Sequence, residues 1–143
     1  MTFAKPINKY IDYIDAPEDT FEQYVEKALR YNFRCVFANL QEYETGRAML
    51  EDSDIILAGA IDFPQGTMTL EEKLARFEEY AARGFTEIDY VLNQESVEDR
   101  DFVAIEREMT AIADFCRAHG ITDKVIVEMC KLDGDDVAKR RVC

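Results

Sequence analysis

The chain has 143 residues, of which 48% are hydrophobic and 33% charged, the make-up of an ordinary globular protein large enough for one real core. Its formal net charge of −13 argues against a nucleic-acid surface or an anionic membrane face, and the one basic cluster, Lys139-Arg140-Arg141, is too short to alter that. No apolar run approaches the roughly 20 residues of a membrane span, and Met1-Thr-Phe-Ala-Lys-Pro6 lacks the charged-then-apolar layout of a secretory leader.

The cysteines Cys35, Cys116, Cys130 and Cys143 show no CxxC spacing, and Cys35 and Cys130 fall in strand-like runs where they read as small buried hydrophobes. The expectation is a reduced, cytoplasmic protein with neither a disulfide framework nor a zinc site.

Along the chain, Lys9-Tyr-Ile-Asp-Tyr-Ile14 is a short strand candidate interrupted by Asp12. Ala16-Pro-Glu-Asp19 opens a helix in which Asp19 and Glu22 have capping-box spacing and Phe21, Val25, Ala28 and Leu29 recur at helical spacing. Arg34 to Asn39 is the second strand, residues 41 to 51 are the second helix, and Ile55 to Ile61 is an apolar run suited to a strand covered on both faces. After the loop Asp62-Phe-Pro-Gln-Gly66, Thr69 and Glu72 form a capping box for a helix whose stripe is Leu70, Leu74, Phe77 and Ala81, closed by Gly84. Phe85 to Asn93 is the fourth strand. Ser96 starts a long helix with Phe102, Ile105, Met109, Ile112 and Cys116 on one face, and Gly120 ends it. Lys124 to Cys130 is the fifth strand, and Asp133-Gly-Asp-Asp136 opens a last helix.

Strand–helix alternation five times over predicts a parallel sheet with right-handed crossovers, in a single domain covering 1–143. Two architectures satisfy it: part of a (β/α)8 TIM barrel, which typically takes about 250 residues, or a flavodoxin-like, open doubly wound sheet. The barrel pairs its strands in sequence order, whereas the open sheet places the first strand between the second and third.

The fourth and fifth strands each carry an acid, Asp89 and Glu128, where an ionised carboxylate is costly unless paired or used. Two readings stay open: a site assembled from strand ends, or acids bound by neighbouring lysines and backbone amides. His119, the one histidine, fits a helix C-terminal partner, so no histidine-based metal cluster is expected.

Lys9-Tyr-Ile-Asp12, Phe63-Pro-Gln-Gly66 with Thr69 and Lys73, Glu87-Ile-Asp-Tyr-Val-Leu-Asn93 and Lys124-Val-Ile-Val-Glu128 occur in an order and spacing that resembles the deoxyribose-phosphate aldolase family, from about Lys9 to the last helix. The resemblance implies five of eight barrel units of a class I aldolase. Such an enzyme uses no metal or other cofactor and joins acetaldehyde to glyceraldehyde 3-phosphate through a lysine Schiff base, or runs this backwards. It implies catalytic roles for Asp89, as proton relay, and for Asp12, with Asn39 as the polar residue at the end of the second strand. Glu128, an acid of the fifth strand, and Lys131, just past that strand's end, are read from their own positions as substrate-side residues. Its partner would be a small phosphorylated sugar or an aldehyde, with no nucleic acid and no membrane.

The pattern also departs from the family. The Schiff-base lysine motif of the sixth strand has no match here, nor do the second catalytic lysine and the phosphate loop of later strands. Asp62 stands where glycine usually precedes Phe-Pro, an acid expected to weaken binding of an anionic substrate. The expectation is a chain without full aldolase activity, whose open strand edge is covered by self-association or by a partner. The alternative is a non-catalytic binding or regulatory module, with Asp12, Asp15 and Asp62 free to hold a divalent cation in the open-sheet version.

Overall fold

The computed structural model describes residues 4–143; Met1 to Phe3, part of the stretch in which a leader was sought, lie outside the described residues. The chain forms two compact units, one ending at Gly59 and the other running from Ala60 to Cys143.

In the first unit a 3-10 turn at Ile7–Tyr10 leads into β1 (Asp12–Tyr13), α1 (Phe21–Tyr31), β2 (Cys35–Phe37) and α2 (Tyr43–Met49). Then comes β3 (Ile56–Ile61), which runs through the boundary. The expected capping box at Asp19 and Glu22 forms one residue later: Thr20 accepts from the Gln23 amide and Gln23 returns the bond. A hydroxyl on extended backbone reaches the third amide of the helix, which makes Thr20 the boundary residue. Tyr24 anchors α1 to the sheet, its hydroxyl donating to the Tyr13 carbonyl at 2.5 Å and accepting from the Phe37 amide at 2.8 Å. Burial pushes that phenol upward from its ordinary value.

β1 pairs with β2 (Asp12 beside Cys35), and β2 pairs directly with β3 (Val36 beside Leu57), all parallel. An open doubly wound sheet needs β1 between β2 and β3, so this pairing excludes that alternative. The strand order, β1-β2-β3-β4-β5, is the sequence order, as in a TIM barrel.

The second unit holds α3 (Leu70–Arg83), β4 (Glu87–Val91), α4 (Gln94–Glu98), α5 (Phe102–His119), β5 (Thr122–Ile126), a 3-10 turn at Met129–Leu132 and α6 (Asp136–Val142). The Thr69–Glu72 capping box forms as expected, and Gly84 ends α3 in the left-handed region at φ 110°. The helix expected from Ser96 is instead two helices, because Arg100 turns left-handed (φ 57°) and Asp101 caps a fresh start at Phe102. β5 also stops earlier than expected: Glu128, at φ 48°, lies beyond the strand and caps the 3-10 turn, and Cys130 is exposed rather than buried.

Phe77 of α3 packs edge-on against Tyr90 of β4 and Phe115 of α5. Full burial of such a ring stabilises by about 1.5–3 kcal/mol. These contacts put Ile88 and Tyr90 on the helix-covered face of β4 and leave Glu87, Asp89 and Val91 on the opposite face. Among the described residues no helix is long and apolar enough to cross a membrane.

Candidate functional site

Asp89 sits mid-strand on β4, directly beside Lys124 of β5 in the parallel register. The Lys124 ammonium lies 3.1 Å from Asp89 Oδ1 and 2.9 Å from Glu87 Oε1, two carboxylates that alternation places on one face of β4. Lys124, expected to open the fifth strand, is instead the middle residue of β5 and faces both acids. Both acids are largely withdrawn from water, while the lysine keeps 31% of its side chain exposed. The cluster has the composition of a site that can hold or move a proton beside a bound carbonyl.

The remaining candidates have local partners. Asp12, on β1, receives a 2.5 Å bond from Arg34 Nε. Asn39, two residues past β2, uses its Oδ1 to accept from the Gln41 and Glu42 amides, which turns the chain into α2. Glu128 accepts from the Cys130 thiol at 3.5 Å, and Lys131 in the following turn pairs with Glu98 at 3.2 Å. Among the described residues, no three His, Cys, Asp or Glu side chains gather as a metal site.

A second cluster escaped sequence reasoning. Lys73 is fully buried on α3, and its ammonium donates to the Val91 carbonyl at 2.6 Å and to Glu108 Oε1 of α5 at 2.5 Å, with Asp62 Oδ2 at 3.4 Å. Glu108 accepts in turn from the Asn93 amide at 3.2 Å. The signal was present: Lys73, Phe77 and Tyr80 share one helical face, as do Ile105, Glu108, Ile112 and Cys116, so each apolar stripe carries one charge of opposite sign. The expected stripe through Leu70, Leu74 and Ala81 is accordingly only half-buried.

Asp62 belongs to the same cluster. It occupies a left-handed backbone (φ 60°), which explains why glycine suits the position. Its carboxylate turns inward to Lys73, which it shares with Glu108, and accepts from the amides of Thr67 and Met68 at 3.0 and 2.9 Å.

Parallel β/α units, paired in sequence order and carrying acids on the face of β4 away from the helices, define a TIM-barrel-type α/β fold of the kind that hosts enzyme sites at strand exits. Comparison narrows this class. No family model matches the chain. The deoxyribose-phosphate aldolase of Clostridium perfringens (strain SM101 / Type A) is 31% identical over 136 residues, covering 95% of this chain and 60% of the relative. That of Lactobacillus acidophilus is 31% identical over 137 residues, covering 96% and 58%. The solved deoxyribose phosphate aldolase of Aeropyrum pernix, described as a unique tetrameric structure, matches with a TM-score of 0.67 at 27% identity, over 89% of this chain and 56% of that one. The chain is thus similar to deoxyribose-phosphate aldolases over nearly its whole length, as its motifs suggested, and spans about 60% of the length of the curated relatives it matches.

Proposed function

We propose that this chain carries part of the active site of a deoxyribose-phosphate aldolase-type enzyme, which cleaves 2-deoxyribose 5-phosphate to glyceraldehyde 3-phosphate and acetaldehyde through a lysine Schiff base. The observation that carries the reading is Asp89, an acid held on the face of β4 away from the helices beside Lys124 and Glu87, inside a motif that resembles the family's proton-relay strand. Asp12 is the second acid of the reading, and Asn39, Glu128 and Lys131 are its substrate-side residues.

The nucleophilic lysine is assigned to the portion of the relatives that this chain does not match. A Schiff-base amine needs desolvation or a neighbouring cation to be neutral enough to attack. Lys9, Lys27, Lys73, Lys124, Lys131 and Lys139 each lie within 3.3 Å of a carboxylate oxygen instead. The Asp19 carboxylate, for one, raises Lys27 above its ordinary value. The partner is a small phosphorylated sugar or aldehyde, the compartment is the cytoplasm, and the exposed strand edge is covered by a second copy or another protein. Sedimentation as a monomer that binds no apolar dye would count against that last point.

The test is borohydride trapping with 2-deoxyribose 5-phosphate, read by intact mass and peptide mapping. The chain alone is expected to give no reduced adduct. Joined to the portion of the Clostridium perfringens relative that it does not cover, it is expected to give a stoichiometric adduct, formed at least ~10-fold more slowly after Asp89→Asn. A folded joined protein that gives no adduct, with the full-length relative trapped in parallel, sinks the reading.

A further inference from the structure

The loop between β3 and α3 leaves the sheet at the end where barrel chemistry collects, and the structure ties it down at three places. At its start, Asp62 accepts from the Thr67 and Met68 amides and faces the buried Lys73 ammonium. In its middle, the Gly66 carbonyl accepts from the Gln94 amide at 2.8 Å. A Cβ on Gly66 would come within 2.5 Å of the Leu92 carbonyl oxygen, so the loop lies flat against the exit of β4. At its end, Asn93 Nδ2 donates to the Met68 carbonyl at 3.4 Å. Phe63, by contrast, faces outward and is half exposed.

We propose that Asp62 is a latch: its carboxylate pins the Phe63–Met68 segment, as a strap, to the Lys73 anchor, and the strap opens as a local unit when that carboxylate is removed. Three observations separate the latch from its anchor. Lys73 keeps Glu108 and the Val91 carbonyl without Asp62, so the anchor does not depend on the latch. The Asp62 side chain is 3% exposed, so its carboxylate is committed to these protein donors and not to bulk water. And Thr67 and Met68 have their amides directed to this carboxylate, so its loss leaves both without that acceptor. An acid in a left-handed backbone costs strain that glycine would not. The latch gives that strained aspartate a role, and it governs how often the strap uncovers the exits of β3 and β4. Nothing in it depends on the aldolase reading.

Amide hydrogen exchange resolved by residue tests the latch, since local opening and global unfolding differ in which amides speed up together. Asp62→Gly keeps the left-handed backbone accessible and removes the carboxylate. Thr67 and Met68 are expected to exchange at least tenfold faster, while Asn93, held by Glu108, and Phe77, within α3, stay within twofold of the parent chain. Unchanged exchange at Thr67 and Met68 overturns the latch, and so does an equal acceleration at all four amides, which would mean a general loss of stability. Should the glycine variant fail to fold, Asp62→Asn serves in its place. It keeps one acceptor oxygen and loses the charge, so at least one of Thr67 and Met68 must exchange faster with Phe77 unmoved, or the latch is wrong.

Discussion

The second unit contains two clusters of the same composition, one lysine between two carboxylates, and they differ in burial. Lys73 is sealed from water among Asp62, Glu108 and the Val91 carbonyl, whereas Lys124 reaches Glu87 and Asp89 with 31% of its side chain exposed. A sealed ammonium has no water to fall back on, so the cation is a structural necessity: removing it strands Asp62 and Glu108 in a low-dielectric interior, whereas losing Asp62 still leaves Lys73 its bonds to Glu108 and the Val91 carbonyl. An ammonium that water still reaches can be replaced in part by solvent, so its carboxylates are held less absolutely and a ligand can approach them. Charge count alone does not tell a brace from a site; access to water does.

The sharpest way to break this comparison is to delete each ammonium. Lys73→Met is expected to lose about 3–5 kcal/mol of stability in urea unfolding, because Asp62 and Glu108 remain buried without their cation. Lys124→Met is expected to lose less, about 1–3 kcal/mol, because Glu87 and Asp89 are nearly buried but water reaches the ammonium's place. Equal losses would dissolve the distinction.

Next in size is Gly66→Ala, in the loop that the Lys73 cluster braces. With φ at 65° and the Leu92 carbonyl 2.5 Å from the new Cβ, roughly 2–4 kcal/mol should be lost from left-handed strain and overpacking. A neutral result would mean the loop is not held against β4. Smaller still is Thr69→Ala, which removes the cap of the helix carrying Lys73. It should cost about 1 kcal/mol, with the unfolding slope in urea unchanged.

The smallest effect concerns Cys116, on the same face of α5 as Glu108. Burial, helped by the Asp123 carboxylate, pushes this thiol from its ordinary 9.0 up to about 12. The folded chain therefore keeps its proton where the unfolded chain loses it. The stabilisation from this group is complete below pH 9.0 and disappears as pH rises towards 12. A thiol reagent at about pH 8 should label the exposed Cys130 and Cys143 but not Cys35 or Cys116, until denaturant opens the core. Early labelling of Cys116 would show that the α5 interior near Glu108 admits water.

Local signals in the sequence already determined the alternation of elements, the Thr69 cap, the close of α3 at Gly84 and the aldolase-like motifs, because helix caps and hydrophobic period act over a few neighbouring residues. The same locality explains the misplacements. Thr20 and Asp19 compete for one cap, Arg100 breaks a helix through its backbone angle, and Glu128 leaves the strand by turning left-handed. None of these outcomes is written in residue type alone. The pairing of β2 with β3 and of Asp89 with Lys124, and the gathering of Asp62, Lys73, Val91 and Glu108, were decided only by the tertiary structure. Those residues are up to 46 positions apart, and a charge's role depends on which distant partner and how much water the fold leaves beside it.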